Sequence, residues 1–182
     1  MLTLIVPPSE RFNELTNEFL YTKETKIQLE HSLVSLSKWE SRWHKPFLAS
    51  KNKTKSQEEI IDYIRCMTVT QNVDPNVYYN LSKENYDKIQ TYIDDPMTAT
   101  TFNEIQKGRP STEVITSELI YYWMIAYNVP VEFEKWHLNR LLTLIKVCSI
   151  KNTPPKKMSK REIMNRNAAL NASRRKAHNS KG

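Results

Sequence analysis

The sequence has 182 residues, of which 39% are hydrophobic and 26% charged, and its formal net charge is +7. This much apolar surface excludes a fully disordered chain and supports one globular domain with an appendage. Only 2 Gly stand against 9 Pro, which disfavours a sheet protein with tight hairpins, because such turns usually need residues that tolerate positive φ. The composition therefore favours helices.

The positive charge is concentrated at the C-terminal end. Residues 151–182 contain ten Lys or Arg and one acid, a net +9, whereas residues 1–150 contain 17 basic and 19 acidic residues, a net −2. Residues 152–155 (NTPP) cannot continue a helix and mark the boundary. We predict a mainly helical globular domain over 1–150 and a basic arm over 151–182, helical on binding.

The N-terminal segment predicts a small β-ribbon. Residues 2–6 form a short apolar run, and residues 25–29 alternate polar and apolar side chains, so the two segments are expected to pair and to lie on helices. Between them, residues 9–20 predict a short helix or an irregular loop.

The helical period begins at Ser32. Leucines and tryptophans, including Trp39 and Trp43, recur every three or four residues up to Pro46, which predicts a helix that ends there. Residues 56–59 (SQEE) form a capping-box sequence that predicts the start of a second helix.

Two further helices are predicted before residue 96. Asp74 and Pro75 introduce a turn and a short helix around residues 77–79, and Ser82 caps a helix that ends before Pro96. Residues 97–110 have no helical period and predict a loop or a short ribbon with its turn at Gly108.

The strongest apolar stretch of the chain comes next. A helix is predicted over about 112–127, apolar nearly all round as expected of a central core helix, and another over about 131–149. In the tail, residues 159–162 (SKRE) match a capping box and predict one more helix. The predicted fold class is mainly α, an irregular helical bundle with a small N-terminal β-ribbon and a basic C-terminal arm.

The residues that carry chemistry do not form a catalytic pattern. The four histidines lack metal-ligand spacing, neither Cys66 nor Cys148 has a second ligand nearby, and two glycines cannot build a phosphate-binding loop. No nucleophile elbow is present. We expect a protein that is not an enzyme, without cofactor or metal, and without a membrane span because no apolar run approaches ~18 residues.

Aromatic and basic residues supply the candidate binding sites. Aromatic side chains on the predicted helices, where they are not core residues, could form a protein-binding surface or a platform for stacked bases. The candidate protein-binding residues are Trp39, Trp43, Phe47, Tyr122 and Trp136. The candidate residues for an anionic partner are Lys156, Lys157, Lys160, Arg161, Arg166, Arg174, Arg175 and Lys176.

Six strings of residues carry a resemblance to a known family. They are 29–33 (LEHSL), 37–41 (SKWES), 96–100 (PMTAT), 118–124 (ELIYYWM), 135–142 (KWHLNRLL) and 166–171 (RNAALN). In these strings the chain resembles small proteins encoded in the structural gene clusters of tailed bacteriophages, in or near the tail module. Proteins of this kind are often regarded as tail assembly chaperones, which hold the tape measure protein soluble while tail-tube subunits polymerise around it.

The resemblance implies a non-enzymatic tail assembly protein that binds the tape measure or other tail proteins in the host cell cytoplasm. The contact surfaces would be the Trp39/Trp43 face and the hairpin of residues 112–149, with self-association as an open alternative. Three other interpretations remain: a minor virion component, an enzyme whose site the sequence does not reveal, and a nucleic-acid-binding module that acts through the basic arm. The slightly acidic body argues against the last, since nucleic-acid domains usually also carry basic residues on their folded surface.

Overall fold

A computed structural model describes residues 1–13, 17–48, 55–102, 113–153 and 159–179. Within these residues the chain forms four strands and six α-helices, so the prediction of a mainly α fold with a small β-ribbon is confirmed. The strands are β1 (Leu2–Val6), β2 (Ser9–Asn13), β3 (Glu18–Thr22) and β4 (Thr25–Leu29). The α-helices are α1 (Leu33–Trp43), α2 (Gln57–Met67), α3 (Lys83–Asp94), α4 (Ser117–Ala126), α5 (Leu138–Asn152) and α6 (Lys160–His178).

The N-terminal ribbon pairs as expected. Strand β1 is antiparallel to β4, with Leu4 opposite Ile27. Because successive side chains of a strand point to opposite faces, Leu4, Val6, Ile27 and Leu29 share the face that is buried against the helices. The ribbon therefore covers one side of the helical core.

The segment between β1 and β4 is a second hairpin, and the prediction of a helix or loop over residues 9–20 is wrong. Strand β2 pairs with β3, with Phe12 opposite Phe19 and their ring centroids 5.0 Å apart. Asn17 has a φ of 55° and enters the left-handed region, which asparagine tolerates better than most residues. The inference from the low glycine content was therefore too strict, because asparagine can also provide the positive φ that a tight hairpin needs.

Serine caps begin the helices where the sequence places them. Ser56 and Glu59 form a capping box on α2, Ser82 caps α3, and Ser159 with Glu162 forms a capping box on α6. The short helix predicted around residues 77–79 is a 3₁₀ helix, Pro75–Asn80. Residues 97–102 have no regular structure, and the predicted turn at Gly108 lies outside the described residues.

The helix predicted over 112–127 begins later than expected. Residues 113–116 are not helical, and Thr116 caps α4 at Ser117. Only Ser117, Ile120 and Met124 of α4 are buried, so α4 packs through one face and is not a central core helix.

The helix predicted over 131–149 is interrupted. A 3₁₀ helix, Val131–Lys135, precedes α5, and Trp136 between them has extended backbone. There the backbone pairs with the chain before α1: His137 bridges Ser32, and Leu138 N donates to His31 O at 2.7 Å. These long-range hydrogen bonds fix the break, and a single-segment hydrophobic pattern does not reveal them.

Two clusters of buried side chains make up the core. The first joins the ribbon with Trp39, α2, the Pro75–Asn80 helix and α3, and the second joins α1 with α4 and α5. Helix α1 serves both, because Trp39 lies in the first cluster while Leu33 and Leu36 lie in the second. By residue contacts the chain divides into two units, Met1–Ser149 and Ile150–Gly182.

Candidate interaction surfaces

Trp39 is a core residue. Its side chain is 1% exposed, and its indole Nε1 donates to Glu59 O at 2.9 Å, which joins α1 to the first turn of α2. An indole this deeply buried offers no surface to a partner, so Trp39 is corrected from a candidate contact residue to a core residue.

Trp43 and Phe47 are half-buried where α1 meets α2. The Trp43 Nε1 donates to Asp62 Oδ2 at 2.9 Å, and the ring of Phe47 stacks on Tyr63 with centroids 3.9 Å apart. Both side chains make contacts inside the fold, which accounts for most of their apolar surface without a partner.

Trp136 is half-buried in a stack of its own. Its ring lies parallel to Phe133, with centroids 3.9 Å apart and an interplanar angle of 16°, and the Arg140 guanidinium lies 4.1 Å from the Trp136 centroid. This arrangement combines ring stacking with a cation–π contact. Neighbours in the sequence therefore already occupy two sides of the ring.

Tyr122 differs from the other candidates because it is largely exposed. It lies on α4 at 63% exposure, with Ile125 at 76% one turn further along. We call these two residues the α4 outer face. The apolar sequence of α4, which predicted a central helix, instead leaves this face in water.

A second exposed apolar surface lies on β2 and β3 and was missed at the level of sequence. Phe12, Phe19 and Tyr21 lie on one face of this hairpin and are all exposed. The opposite face is anchored at its base, where Thr22 accepts from Asn80 Nδ2 at 2.6 Å and contacts the hydroxyl of Ser9 at 2.8 Å. The sequence signal for this surface was the two-residue spacing of Phe19 and Tyr21, which is typical of one face of a strand.

The basic arm contributes α6, in which no residue is buried. Six of the eight candidate cations lie on this helix and all are exposed: Lys160, Arg161, Arg166, Arg174, Arg175 and Lys176. The other two, Lys156 and Lys157, lie outside the described residues. Arg175 and Lys176 in the last turn of α6 and Glu162 in its first turn match the polarity of the helix dipole.

Buried polar groups tie the fold together. The pKa of His31 is lowered to about 3 by burial and by the neighbouring His137, whose ring centroid is 5.1 Å away. The His31 Nδ1 is 2.6 Å from the Tyr63 hydroxyl, and burial raises the pKa of Tyr63 well above its usual range. The His137 Nε2 donates to Tyr92 O at 2.9 Å. These contacts connect α2 and α3 with the segments that precede α1 and α5.

The described ranges contain no group of three His, Cys, Asp or Glu side chains placed to hold a metal ion. In the same ranges, each helix is too short or too polar to cross a bilayer. Comparisons with protein-family models, with curated proteins and with solved structures found no match to this chain.

Proposed function

We propose that the chain is a non-enzymatic bacteriophage assembly protein, similar in role to tail assembly chaperones, that binds the tape measure or another tail protein. Two observations support this proposal. The first is the resemblance in the six strings given above. The second, which carries the physical argument, is that α4 leaves Tyr122 and Ile125 in water while Ser117, Ile120 and Met124 of the same helix are buried.

A tape measure client suits this surface because long helices expose apolar stripes that a partner helix can cover. Burial of one large apolar side chain stabilises a complex by about 1.5–3 kcal/mol. Tyr122 and Ile125 together would therefore supply a substantial part of a weak, reversible interaction. Reversibility is required of a chaperone that must release its client.

Co-expression with a tape measure protein encoded beside this chain tests the proposal. The tape measure is expected to become soluble only when this chain is present. The double variant Tyr122→Gln and Ile125→Gln should lose most of that effect while its own thermal unfolding stays unchanged, because both positions are exposed.

The matched control is Met164→Gln, which removes an apolar side chain of similar exposure from α6. It should leave the tape measure soluble. If the double variant solubilises the client as well as the natural chain does, the α4 outer face is not the contact surface.

A second candidate function is nucleic-acid binding through the arm, favoured by the exposure of the six cations on α6. Neutralisation of phosphates releases counterions, so the affinity for a DNA duplex would fall steeply as salt rises. Deletion of residues 154–182 should abolish such binding at low salt. Salt-dependent DNA binding combined with no effect on tail proteins would replace the first proposal with this one.

A further inference from the structure

A groove of about 510 Å³ opens where α1 and α2 meet the segment that follows α2. Three cations lie along it: Lys38 and Arg42, one turn apart on α1, and Arg65 in the last turn of α2. Apolar surface lies beside them, supplied by Val73, which is half-buried, and by Pro75, which is exposed. The groove therefore combines positive charge with an apolar wall, within the size range of about 300–1,000 Å³ for ligand pockets.

The positive charge of the groove is not neutralised by carboxylates among its own lining residues. None of the described lining residues is acidic. Asp62, a buried residue of α2 that does not line the groove, pairs with Arg42. Within the described part of the chain, Lys38 and Arg65 have no carboxylate within ion-pairing distance. Two uncompensated cations thus face one opening in a body whose net charge is −2 over residues 1–150.

The walls of the groove are held in place by the fold. The guanidinium of Arg65 lies 6.0 Å from the ring centroid of the buried Tyr78. The segment after α2 is attached to β4, because Val69 N donates to Gln28 O and Gln28 N donates to Thr70 Oγ1, both at 2.8 Å. A preformed site loses less conformational entropy when a ligand binds.

We propose that this groove binds an acidic peptide segment of a partner protein. Two carboxylates of the segment would pair with Lys38 and Arg65, and an apolar side chain beside them would lie against Val73 and Pro75. Charge complementarity selects the acid, since charge-assisted hydrogen bonds to carboxylates are about twice as strong as neutral ones.

A peptide fits this site better than a nucleic acid does. Nucleic-acid surfaces track a phosphate backbone with a stripe of cations. Here three cations line one short groove that also has apolar surface, in a body of net negative charge. The groove shares no residue with the α4 outer face or with α6, so this proposal and the proposed function can fail separately.

A fluorescein-labelled peptide of alternating Glu and Leu, added to the full chain at low ionic strength, is the probe. Anisotropy measures its binding, and the same peptide with Gln in place of Glu controls for the apolar contribution. The double variant Lys38→Gln and Arg65→Gln should weaken binding by about tenfold, because both charge-assisted pairs are lost. Lys38→Arg with Arg65→Lys, which keeps both charges, should retain most of the affinity.

The arm also attracts an acidic peptide, so a readout inside the groove is needed. Cys66 lines the groove and is half-buried, while Cys148 on α5 is half-buried elsewhere in the body. Bound peptide should slow alkylation of Cys66 by iodoacetamide and leave Cys148 unaffected. The variant Arg174→Gln with Arg175→Gln removes the same amount of charge from the arm and should leave the protection of Cys66 unchanged.

Three results would overturn the proposal. One is an unchanged rate of Cys66 alkylation at saturating Glu/Leu peptide. Another is equal affinity for the natural chain and the Lys38→Gln, Arg65→Gln variant. The third is protection of Cys66 by a single-stranded oligonucleotide but not by the peptide, which would assign the groove to nucleic acid.

Discussion

His31 shows how a single buried side chain makes the stability of this body depend on pH. Burial and the adjacent His137 lower its pKa to about 3, whereas an unfolded histidine titrates near 6.5. Above pH 6.5 both states are neutral. Below it the unfolded chain takes up the proton first, so the free energy of unfolding should fall by about 1.4 kcal/mol per pH unit until the pH approaches 3.

Urea unfolding at pH 7.5 and 4.5 measures this loss, and His31→Asn isolates it from other titrating groups. Asparagine keeps an acceptor near the Tyr63 hydroxyl, which lies 2.6 Å from Nδ1 in the natural chain, but it has no proton to gain. The variant should lose about 2–3 kcal/mol less than the natural chain between these two pH values. Equal losses in both proteins would contradict the low pKa.

For single residues, the sequence predicts which ones lie on a helix better than it predicts which of them are exposed. Trp39 and Tyr122 both lie on helices with regular apolar spacing, yet one is in the core and the other in water. What separates them is which element packs on each helix face, and that depends on contacts such as the hydrogen bond from Trp39 to Glu59 O across 20 residues. The apolar pattern of one helix contains no information about such contacts, so the exposure of these side chains was predicted less well than the helices that carry them.

At the scale of elements, one buried carboxylate joins three parts of the chain. Glu40 lies on α1; its Oε1 accepts from Phe47 N at 2.8 Å, and its Oε2 accepts from Ser117 N at 2.7 Å. The second bond satisfies an unpaired N–H in the first turn of α4, where the helix dipole also favours a negative charge. The second core cluster therefore depends on this carboxylate for its alignment.

Glu40→Gln should destabilise the protein by about 2–3 kcal/mol, because one backbone donor would face an amide N–H₂ group and lose its charged acceptor. Chemical denaturation measures the change. Glu24→Gln is the matched control, since Glu24 is exposed, and it should shift the free energy of unfolding by less than about 0.5 kcal/mol. Similar effects of the two substitutions would argue against the bridging role of Glu40.

Helix starts were predictable where a serine and a glutamate form a full capping box, whereas the single threonine cap at Thr116 was missed. A serine cap followed three residues later by glutamate marks the starts of α2 and α6. Boundaries set by distant contacts were not predictable. The break before α5 depends on His137 pairing with Ser32, and the β2–β3 hairpin turns near a left-handed asparagine that the composition did not flag.

At the scale of the whole molecule, the body and the arm differ in charge and in burial. No side chain of α6 is buried, so deletion of residues 154–182 should change the free energy of unfolding by no more than about 0.5 kcal/mol. The formal charge falls from +7 to −1, since residues 1–153 hold 18 basic and 19 acidic side chains.

Thermal unfolding followed by circular dichroism, together with ion-exchange elution, checks both parts of this prediction. The shortened chain should have the same melting temperature as the natural chain. It should no longer bind a cation exchanger and should bind an anion exchanger only weakly. A fall of several degrees in the melting temperature would mean that the arm supports the body.

The sharing of α1 between the two core clusters bears on the order in which the chain folds during synthesis. Every member of the first cluster that the structure describes lies before residue 94, so this part of the core can form while the ribosome is still adding the rest. The second cluster must await Leu138, Leu141 and Ile145. Until these residues emerge, Leu33 and Leu36 of the nascent chain stay exposed to water. A pause in translation between residues 94 and 138 would lengthen this exposure and favour aggregation.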